Sequence, residues 1–141
     1  MTQDRLAPYA TLLLRVSLGL MFLAHGFLMK VLTFGLSGTM GYFGSLGYPP
    51  VFGAIVAIAE TLAGIALILG VWTRAVSLLT LPILIGALLQ HTGNGWVFSA
   101  RGGGWEFPAF WIVAMLVQAG LGAGAHALDL GRLTGRRPAI A

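Results

Sequence analysis

The chain has 141 residues, of which 57% are hydrophobic and 9% are charged, and its net charge is +4. An average soluble domain carries about 25% charged residues, so this composition indicates an integral membrane protein whose partner is the lipid bilayer, and no nucleic-acid partner is expected. The sequence contains no cysteine, which excludes dithiol relays, thiolate metal sites and iron–sulfur clusters built from its own residues.

Four apolar stretches predict four transmembrane helices, because one span needs about 20 apolar residues. The predicted spans are about residues 9–31, 51–71, 75–91 and 108–127. They occupy almost the whole chain, so we expect a single membrane domain, 1–141, with the architecture of an all-α transmembrane four-helix bundle. Arg15 interrupts the first apolar stretch and Asp4 dilutes its basic start, which favours a retained helix over a cleaved signal peptide.

The three connections differ in length and composition. The first, residues 33–50, is rich in glycine and aromatic residues and has no charge, which predicts a segment lying at the outer membrane interface. The second is so short around Trp72 that the helices it joins are expected to be antiparallel neighbours. Trp96 and Trp105 in the third connection predict an interfacial aromatic belt, or alternatively a lid over a cavity that opens outward.

The basic residues predict the orientation, because short cytoplasmic segments collect Lys and Arg. The N-terminus, the second connection and the C-terminal tail hold Arg5, Arg74, Arg132, Arg136 and Arg137. The first and third connections hold only Lys30 and Arg101. We therefore expect a protein of the plasma (inner) membrane with both termini in the cytoplasm. Its basic tail is either solvated or a docking segment for a cytoplasmic protein.

Glu60 stands alone in the second apolar segment, as Arg15 does in residues 9–29 of the first. A carboxylate at mid-membrane costs a few kcal/mol, so it should face the protein interior and have a partner, for which Arg15 is the predicted choice. Depths counted at a rise of 1.5 Å per residue place Gln118, His25 and His91 in one polar column with this pair. The alternatives are an ion pair that only fixes helix register and histidines that are merely interfacial.

Glu106 precedes Pro108 at the start of the fourth predicted helix. A carboxylate there suits the positive end of the helix dipole, and proline is tolerated in the first turn, so a capping role is expected. The alternative is that Glu106 meets Lys30 or His91 at the mouth of a cavity. Metal binding is not expected, because the His and Glu candidates lie on three helices without a closely spaced pair.

Motifs along nearly the whole chain resemble the DoxX family of small integral membrane proteins. They are Arg15 followed by His25-Gly26 and Lys30, Glu60-x-x-x-Gly64 running to Gly70 and Thr73-Arg74, His91, the stretch GGWEFP from Gly103 to Pro108, and Gly120-x-Gly122 followed by Asp129. The resemblance implies a four-helix inner-membrane protein whose relatives are subunits of quinone-linked oxidoreductases or membrane partners of redox-detoxification enzymes. The polar positions that match the family pattern are Arg15, Lys30, Glu60, Arg74, His91 and Glu106.

Three functions remain open from the sequence. The first is a membrane subunit or partner of a redox assembly, joined to a cytoplasmic redox enzyme or a membrane oxidoreductase subunit, with a quinone or other lipophilic ligand at the polar site around Glu60. Such a chain would be an oxidoreductase subunit rather than a self-sufficient enzyme. The second is a non-catalytic scaffold or assembly partner, and the third is a small proton-coupled transporter. Homo-oligomerisation is compatible with each of them.

Overall fold

The computed structural model describes residues 3–128, and the regular secondary structure of this part of the chain is helical. Helix α1 spans Gln3–Leu23 and continues directly as a π-helix over Ala24–Thr33. The other helices are α2 (Gly35–Ser45), α3 (Val51–Leu69), α4 (Thr73–Leu79), α5 (Leu81–His91, followed by a 3-10 turn over Thr92–Asn94) and α6 (Glu106–Leu121). The predicted all-α architecture is confirmed.

Three helical segments in the described residues are long and apolar enough to cross a membrane, namely Asp4–Thr33, Val51–Leu69 and Thr73–Asn94. Helix α6 is apolar but has 16 residues, which is about 24 Å of helix. The outward side chains of α6 are as apolar as those of the longer helices. Phe110 of α6, Leu13 of α1 and Leu79 of α4 are each at least 70% exposed. Surfaces of this kind require lipid around them, so the molecule is an integral membrane bundle.

The first and fourth predicted spans have different ends in the structure. Helix α1 begins at Gln3, about one and a half turns before the predicted start at residue 9. Helix α6 ends at Leu121, because Gly122 leaves the helical conformation with φ +83°. The predicted four-span membrane domain of residues 1–141 therefore stays a prediction, with α6 as the short fourth element.

Helices α1 and α3 pack against each other at unusually close range through glycine. A Cβ built on Gly64 would lie 2.8 Å from the carbonyl oxygen of Gly19, and a Cβ on Gly26 would lie 2.7 Å from the Cβ of Glu60. Residue numbers rise along one helix as they fall along the other, so the pair is antiparallel. Close backbone approach through small residues is a main source of helix association in lipid.

The core lies where α1, α3, α5 and α6 meet. It consists of Leu18, Phe22, Ala63, Leu67, Leu84, Trp111, Ala114 and Met115, all of which are less than 9% exposed. Helix α6 completes the bundle by packing on α1, α4 and α5. The bundle is therefore held by one shared core.

The first connection is more ordered than an interfacial loop, because it forms α2, which packs on α3 and on the π-helix. Thr39 of α2 is 4% exposed. A Cβ on Gly53 of α3 would lie 2.8 Å from the Thr39 carbonyl oxygen. The turn after α3 is as tight as predicted, since Gly70 and Trp72 both take left-handed conformations, with φ of +76° and +46°. Helix α2 thus covers the C-terminal half of the π-helix.

Candidate functional site

An ion pair between Lys30 and Glu60 forms the centre of the candidate site. Lys30 Nζ lies 2.6 Å from Glu60 Oε2, and the two side chains are 21% and 7% exposed. Glu60 faces the interior, as its position in an apolar segment predicts, and Lys30 also donates to the backbone carbonyl of His25 at 3.4 Å. Lysine has three N–H donors. Two of them have partners within the described residues, so the third can donate to a ligand.

The π-helix explains how these groups meet. Its wider turn brings residues 25 and 30 into the i to i+5 relation, and such turns are frequent at functional sites. Gly26 has no side chain, so this turn can lie directly against the backbone of α3 at Glu60. Thr39 donates its hydroxyl to the Lys30 carbonyl at 2.8 Å, which links α2 to the residue that carries the cation.

His25 stands beside the ion pair with its ring among aromatic side chains. Its ring centroid lies 4.9 Å from that of Trp111 and 6.0 Å from that of Phe107. Nδ1 is 2.9 Å from the Met21 carbonyl oxygen, and because a carbonyl only accepts, Nδ1 must carry the proton. Nε2 is then the free position of the ring, and a neutral Nε2 accepts a hydrogen bond or a proton.

The predicted pairing of Arg15 with Glu60 is wrong. Arg15 is fully buried, and its Nη2 donates to the Ala125 carbonyl at 3.1 Å. Its guanidinium packs against Gly70, where a Cβ would overlap it. Gly26, opposite Glu60, follows Arg15 by eleven residues along α1 and the π-helix, which places the backbones of Arg15 and Glu60 at levels about 16 Å apart along the helix axis. The depth count failed because it took the predicted start of the first span as level with the end of the second, whereas the Arg15 guanidinium lies against Gly70, at the end of α3.

Gln118 lies with Arg15 rather than with Glu60. It is fully buried, and its Nε2 donates to the Gly122 carbonyl at 2.7 Å. The predicted polar column is therefore divided into an ion-pair group, which contains Lys30, Glu60 and His25, and a second group around Arg15 and Gln118.

His91 and Glu106 both bind the third connection instead of the ion pair. His91 Nδ1 lies 3.0 Å from the carbonyl oxygens of Gly102 and Gly103. Glu106 is the first residue of α6, and its Oε1 accepts a hydrogen bond from the Phe98 backbone N–H at 2.7 Å. The carboxylate thus occupies the predicted helix end but holds the loop rather than capping the helix amides. Among the hydrogen bonds of residues 3–128, none joins Glu106 to Lys30 or to His91.

An apolar groove of about 550 Å³ lies between the third connection and α6. The residues that line it are Trp96, Phe98, Trp105, Glu106, Phe107, Ala109, Phe110 and Val113. Trp96 and Trp105 meet edge to face in it with ring centroids 4.5 Å apart. Phe107 connects the groove to the ion-pair group, because its ring also lies against that of His25.

The residues of the site suit a neutral ligand with an acceptor oxygen better than a metal ion. Within residues 3–128 no three His, Asp or Glu side chains are grouped closely enough to share a metal. Lys30 supplies a cationic donor, and Phe107 and Trp111 supply aromatic faces. Thr39 was not predicted from the sequence, because the first connection carries no recognisable signal for it. The wrong partner was predicted for Glu60, because Lys30 was assigned to a connection outside the membrane.

Comparisons with known proteins agree on one family. The DoxX family model matches residues 10–93, which is more than half of the chain. "Putative oxidoreductase CatD" of Bacillus subtilis (strain 168) is 40% identical over 79 residues, 56% of this chain and 57% of that relative. "Inner membrane protein YphA" of Escherichia coli (strain K12) is 32% identical over 130 residues, 86% of this chain and 89% of that relative. No solved structure matches significantly. The chain therefore belongs to the DoxX family of membrane proteins.

Proposed function

We propose that this chain is an inner-membrane subunit or partner of a redox assembly, and that the group formed by Lys30, Glu60 and His25 binds a quinone. The observation that carries the proposal is the largely buried ion pair with a free cationic donor beside aromatic side chains. Polar groups inside a membrane bundle usually mark a ligand or proton pathway. The names of the two relatives, "Putative oxidoreductase CatD" and "Inner membrane protein YphA", support the same proposal.

The chemistry of a quinone fits this group. Each quinone carbonyl accepts a hydrogen bond, and the third Lys30 N–H can donate one in an otherwise apolar environment. Reduction to the quinol takes up two electrons and two protons. The electrons would come from a partner redox subunit, while Lys30, re-protonated through Glu60 or His25, would supply protons to the carbonyl oxygens. In this account the chain provides the site and the protons, not the electron source.

The apolar groove provides the second requirement of such a ligand. A volume of about 550 Å³ is in the usual range of small-molecule sites, about 300–1,000 Å³. Phe107 borders both the groove and His25, so a planar ring or its apolar tail would find aromatic surface next to the polar group. Because Phe98 and Phe110 are more than 65% exposed, the groove is accessible from the lipid phase.

The test is binding of ubiquinone-1 to the purified protein in nanodiscs, followed by tryptophan quenching, together with extraction of the quinone that co-purifies. Lys30→Met removes the donor and should weaken binding by about tenfold or more, which corresponds to the loss of one charge-assisted hydrogen bond. Arg101→Met removes an exposed cation elsewhere and is the matched control. Binding unchanged in Lys30→Met, or the absence of any quinone binding, would contradict the proposal.

A scaffold is the second candidate, and the Lys30–Glu60 contact itself favours it, because the pair fixes the register of the π-helix on α3. The two functions separate by whether the folded wild type binds quinone. A scaffold predicts that Lys30→Met lowers stability and partner capture while the folded wild type binds no quinone. The redox account predicts quinone binding by the wild type and its loss in a variant that remains folded.

A further inference from the structure

Two fully buried polar side chains, Arg15 and Gln118, lie at the same level of the bundle. The rings of Phe22 and Trp111 meet with centroids 4.7 Å apart, on helices that run in opposite directions. Arg15 precedes Phe22 by seven residues on α1, and Gln118 follows Trp111 by seven residues on α6. Because the helices are antiparallel, both steps lead the same distance toward the same end of the bundle. Both are 0% exposed, and by this count they share one layer.

Helix α4 adds Ser77 to the same layer. Gly122, after α6, lies against the side chain of Arg74, since a Cβ on it would be 3.2 Å from the Arg74 Nε and Nη2. Ser77 follows Arg74 by three residues in α4, and Gln118 precedes Gly122 by four residues in α6, so Ser77 and Gln118 lie at nearly the same level. Ser77 is also 0% exposed. We call Arg15, Ser77 and Gln118 the inner polar layer.

The inner polar layer has donors that the described residues do not satisfy. Within residues 3–128, Arg15 Nε and Nη1, Ser77 Oγ and Gln118 Oε1 make no hydrogen bond, and neither does Thr73 Oγ1 one turn away from Ser77. Arg15 has one hydrogen bond, to a neutral carbonyl, and no salt bridge in this part of the chain. A buried cation without a counter-charge is strongly unfavourable, and buried polar groups almost always have partners.

We propose that the inner polar layer binds a carboxylate. The Arg15 guanidinium, the Ser77 hydroxyl and the Thr73 hydroxyl one turn away supply several N–H and O–H donors, the chemistry that an anion requires, and arginine pairs preferentially with planar carboxylates. Arg15 is packed so closely against Gly70 that a methyl group there would overlap it, which favours a small planar anion over a bulky one. Gln118 Oε1 is an acceptor, so it is not a donor to the anion.

The carboxylate has two sources. One is a free small carboxylate that enters from the end of the bundle where α3 ends and α4 begins. The other is Asp129, which follows the last described residue in the sequence. The backbone N–H of Leu128 donates to the Leu69 carbonyl at 2.9 Å, next to Gly70, so the chain reaches the neighbourhood of Arg15 at this point.

Thermal unfolding of the full-length protein in detergent distinguishes these sources, with sodium acetate replacing sodium chloride at constant pH and ionic strength. The variants are Arg15→Gln, Ser77→Ala and Asp129→Asn, and Ser37→Ala, an exposed serine of α2, is the control for the hydroxyl deletion. For a free carboxylate, acetate raises the wild-type Tm by about 3 °C or more. Ser77→Ala reduces that shift, whereas Ser37→Ala and Asp129→Asn do not.

For Asp129 as the source, the wild type does not respond to acetate. Asp129→Asn then lowers the Tm, acetate but not chloride restores it, and the double variant with Arg15→Gln is no less stable than Arg15→Gln alone. The proposal is overturned if neither the wild type nor Asp129→Asn responds to acetate more than to chloride. The acetate response of the wild type, Ser77→Ala and Asp129→Asn decides the matter even if Arg15→Gln does not fold.

Discussion

At the scale of single residues, Lys30 and Glu60 are unequal partners. Glu60 is almost completely buried, whereas the Lys30 side chain is 21% exposed. A long lysine side chain can redirect its ammonium group toward the interface when its partner is lost. The carboxylate of Glu60, fixed on α3 against Gly26, has no such freedom. The pair should therefore respond differently to the removal of each member.

Lys30→Met is predicted to destabilise the protein by about 3 kcal/mol, because it leaves a buried carboxylate without its partner. Glu60→Gln keeps a hydrogen-bond acceptor for Lys30 and is predicted to cost about 1 kcal/mol. The double variant should be more stable than Lys30→Met alone. Unfolding in mixed micelles of increasing denaturing-detergent fraction measures these differences. A larger loss in Glu60→Gln than in Lys30→Met would show that the pair is not organised in this way.

Thr39 is predicted to be a positioning residue for Lys30. Its hydroxyl donates to the Lys30 carbonyl from a buried position, so Thr39→Val should cost about 1 kcal/mol and weaken quinone binding as the π-helix shifts. Thr33→Val removes a comparable hydrogen bond, to the Leu28 carbonyl, at an exposed position and should leave both properties nearly unchanged. Equal effects of the two substitutions on binding would eliminate the positioning role.

At the scale of helices, contact through glycine determines how α1 lies on α3. The backbones approach so closely at Gly19 and Gly64 that a Cβ on Gly64 would also lie 2.8 Å from Leu23 Cγ and 2.9 Å from its backbone nitrogen. The same contact surface continues to Gly26 and Glu60. The position of the ion pair along the membrane normal is thus a consequence of this helix crossing.

Gly64→Ala is predicted to separate α1 from α3 and to destabilise the bundle by about 1–3 kcal/mol, the usual effect of overpacking. Gly86→Ala, in the middle of α5 with no heavy atom within 4 Å of the new Cβ, should be neutral or slightly stabilising because alanine favours the helix. Thermal unfolding of the two variants under identical conditions tests this. A neutral Gly64→Ala would mean that the helices cross elsewhere.

The helices themselves could be predicted from sequence better than their register. Charge-free apolar stretches are sufficient to locate helices, and the burial of Glu60 follows from the energy of a carboxylate in lipid. Its partner depends on which residues of α1, the π-helix and α3 face each other, and taking the predicted start of the first span as level with the end of the second misjudged the depth of Arg15 relative to Glu60 by about one and a half turns. The π-helix was not distinguished from the rest of the predicted first span, and the residues of α2 were expected to form an interfacial connection.

At the scale of the whole molecule, one end of the bundle collects the second connection and both ends of the described chain. The Ala125 backbone N–H donates to the Pro8 carbonyl at 3.0 Å, and Gly122 lies against Arg74. Lys30 lies toward the opposite end of the bundle, in the π-helix that continues α1 and beside α2. This arrangement is compatible with the charge-based prediction that both termini are cytoplasmic, which stays a prediction because no membrane side is marked in the structure.

Cysteine accessibility tests the orientation cleanly, because the natural chain has no cysteine. We predict that a cysteine at Ser45, at the end of α2, reacts with an impermeant maleimide added from the periplasmic side of spheroplasts. A cysteine at Thr134, which lies outside the described residues, should react only after the membrane is opened. The reverse pattern would invert the topology, and labelling of both from the same side would contradict the predicted number of spans.

The central claim, a quinone site at Lys30, Glu60 and His25, is tested most directly by photolabelling with an azidoquinone in nanodiscs and mapping of the labelled tryptic peptides. Trypsin cuts after Arg15 and Lys30, so residues 16–30, which contain His25, form one peptide. The account predicts that this peptide carries the main label, that excess ubiquinone-1 competes it away, and that Glu60→Gln reduces it. Label confined to the peptide of residues 6–15, at the far end of α1 from the site, or unaffected by competitor, would contradict the claim.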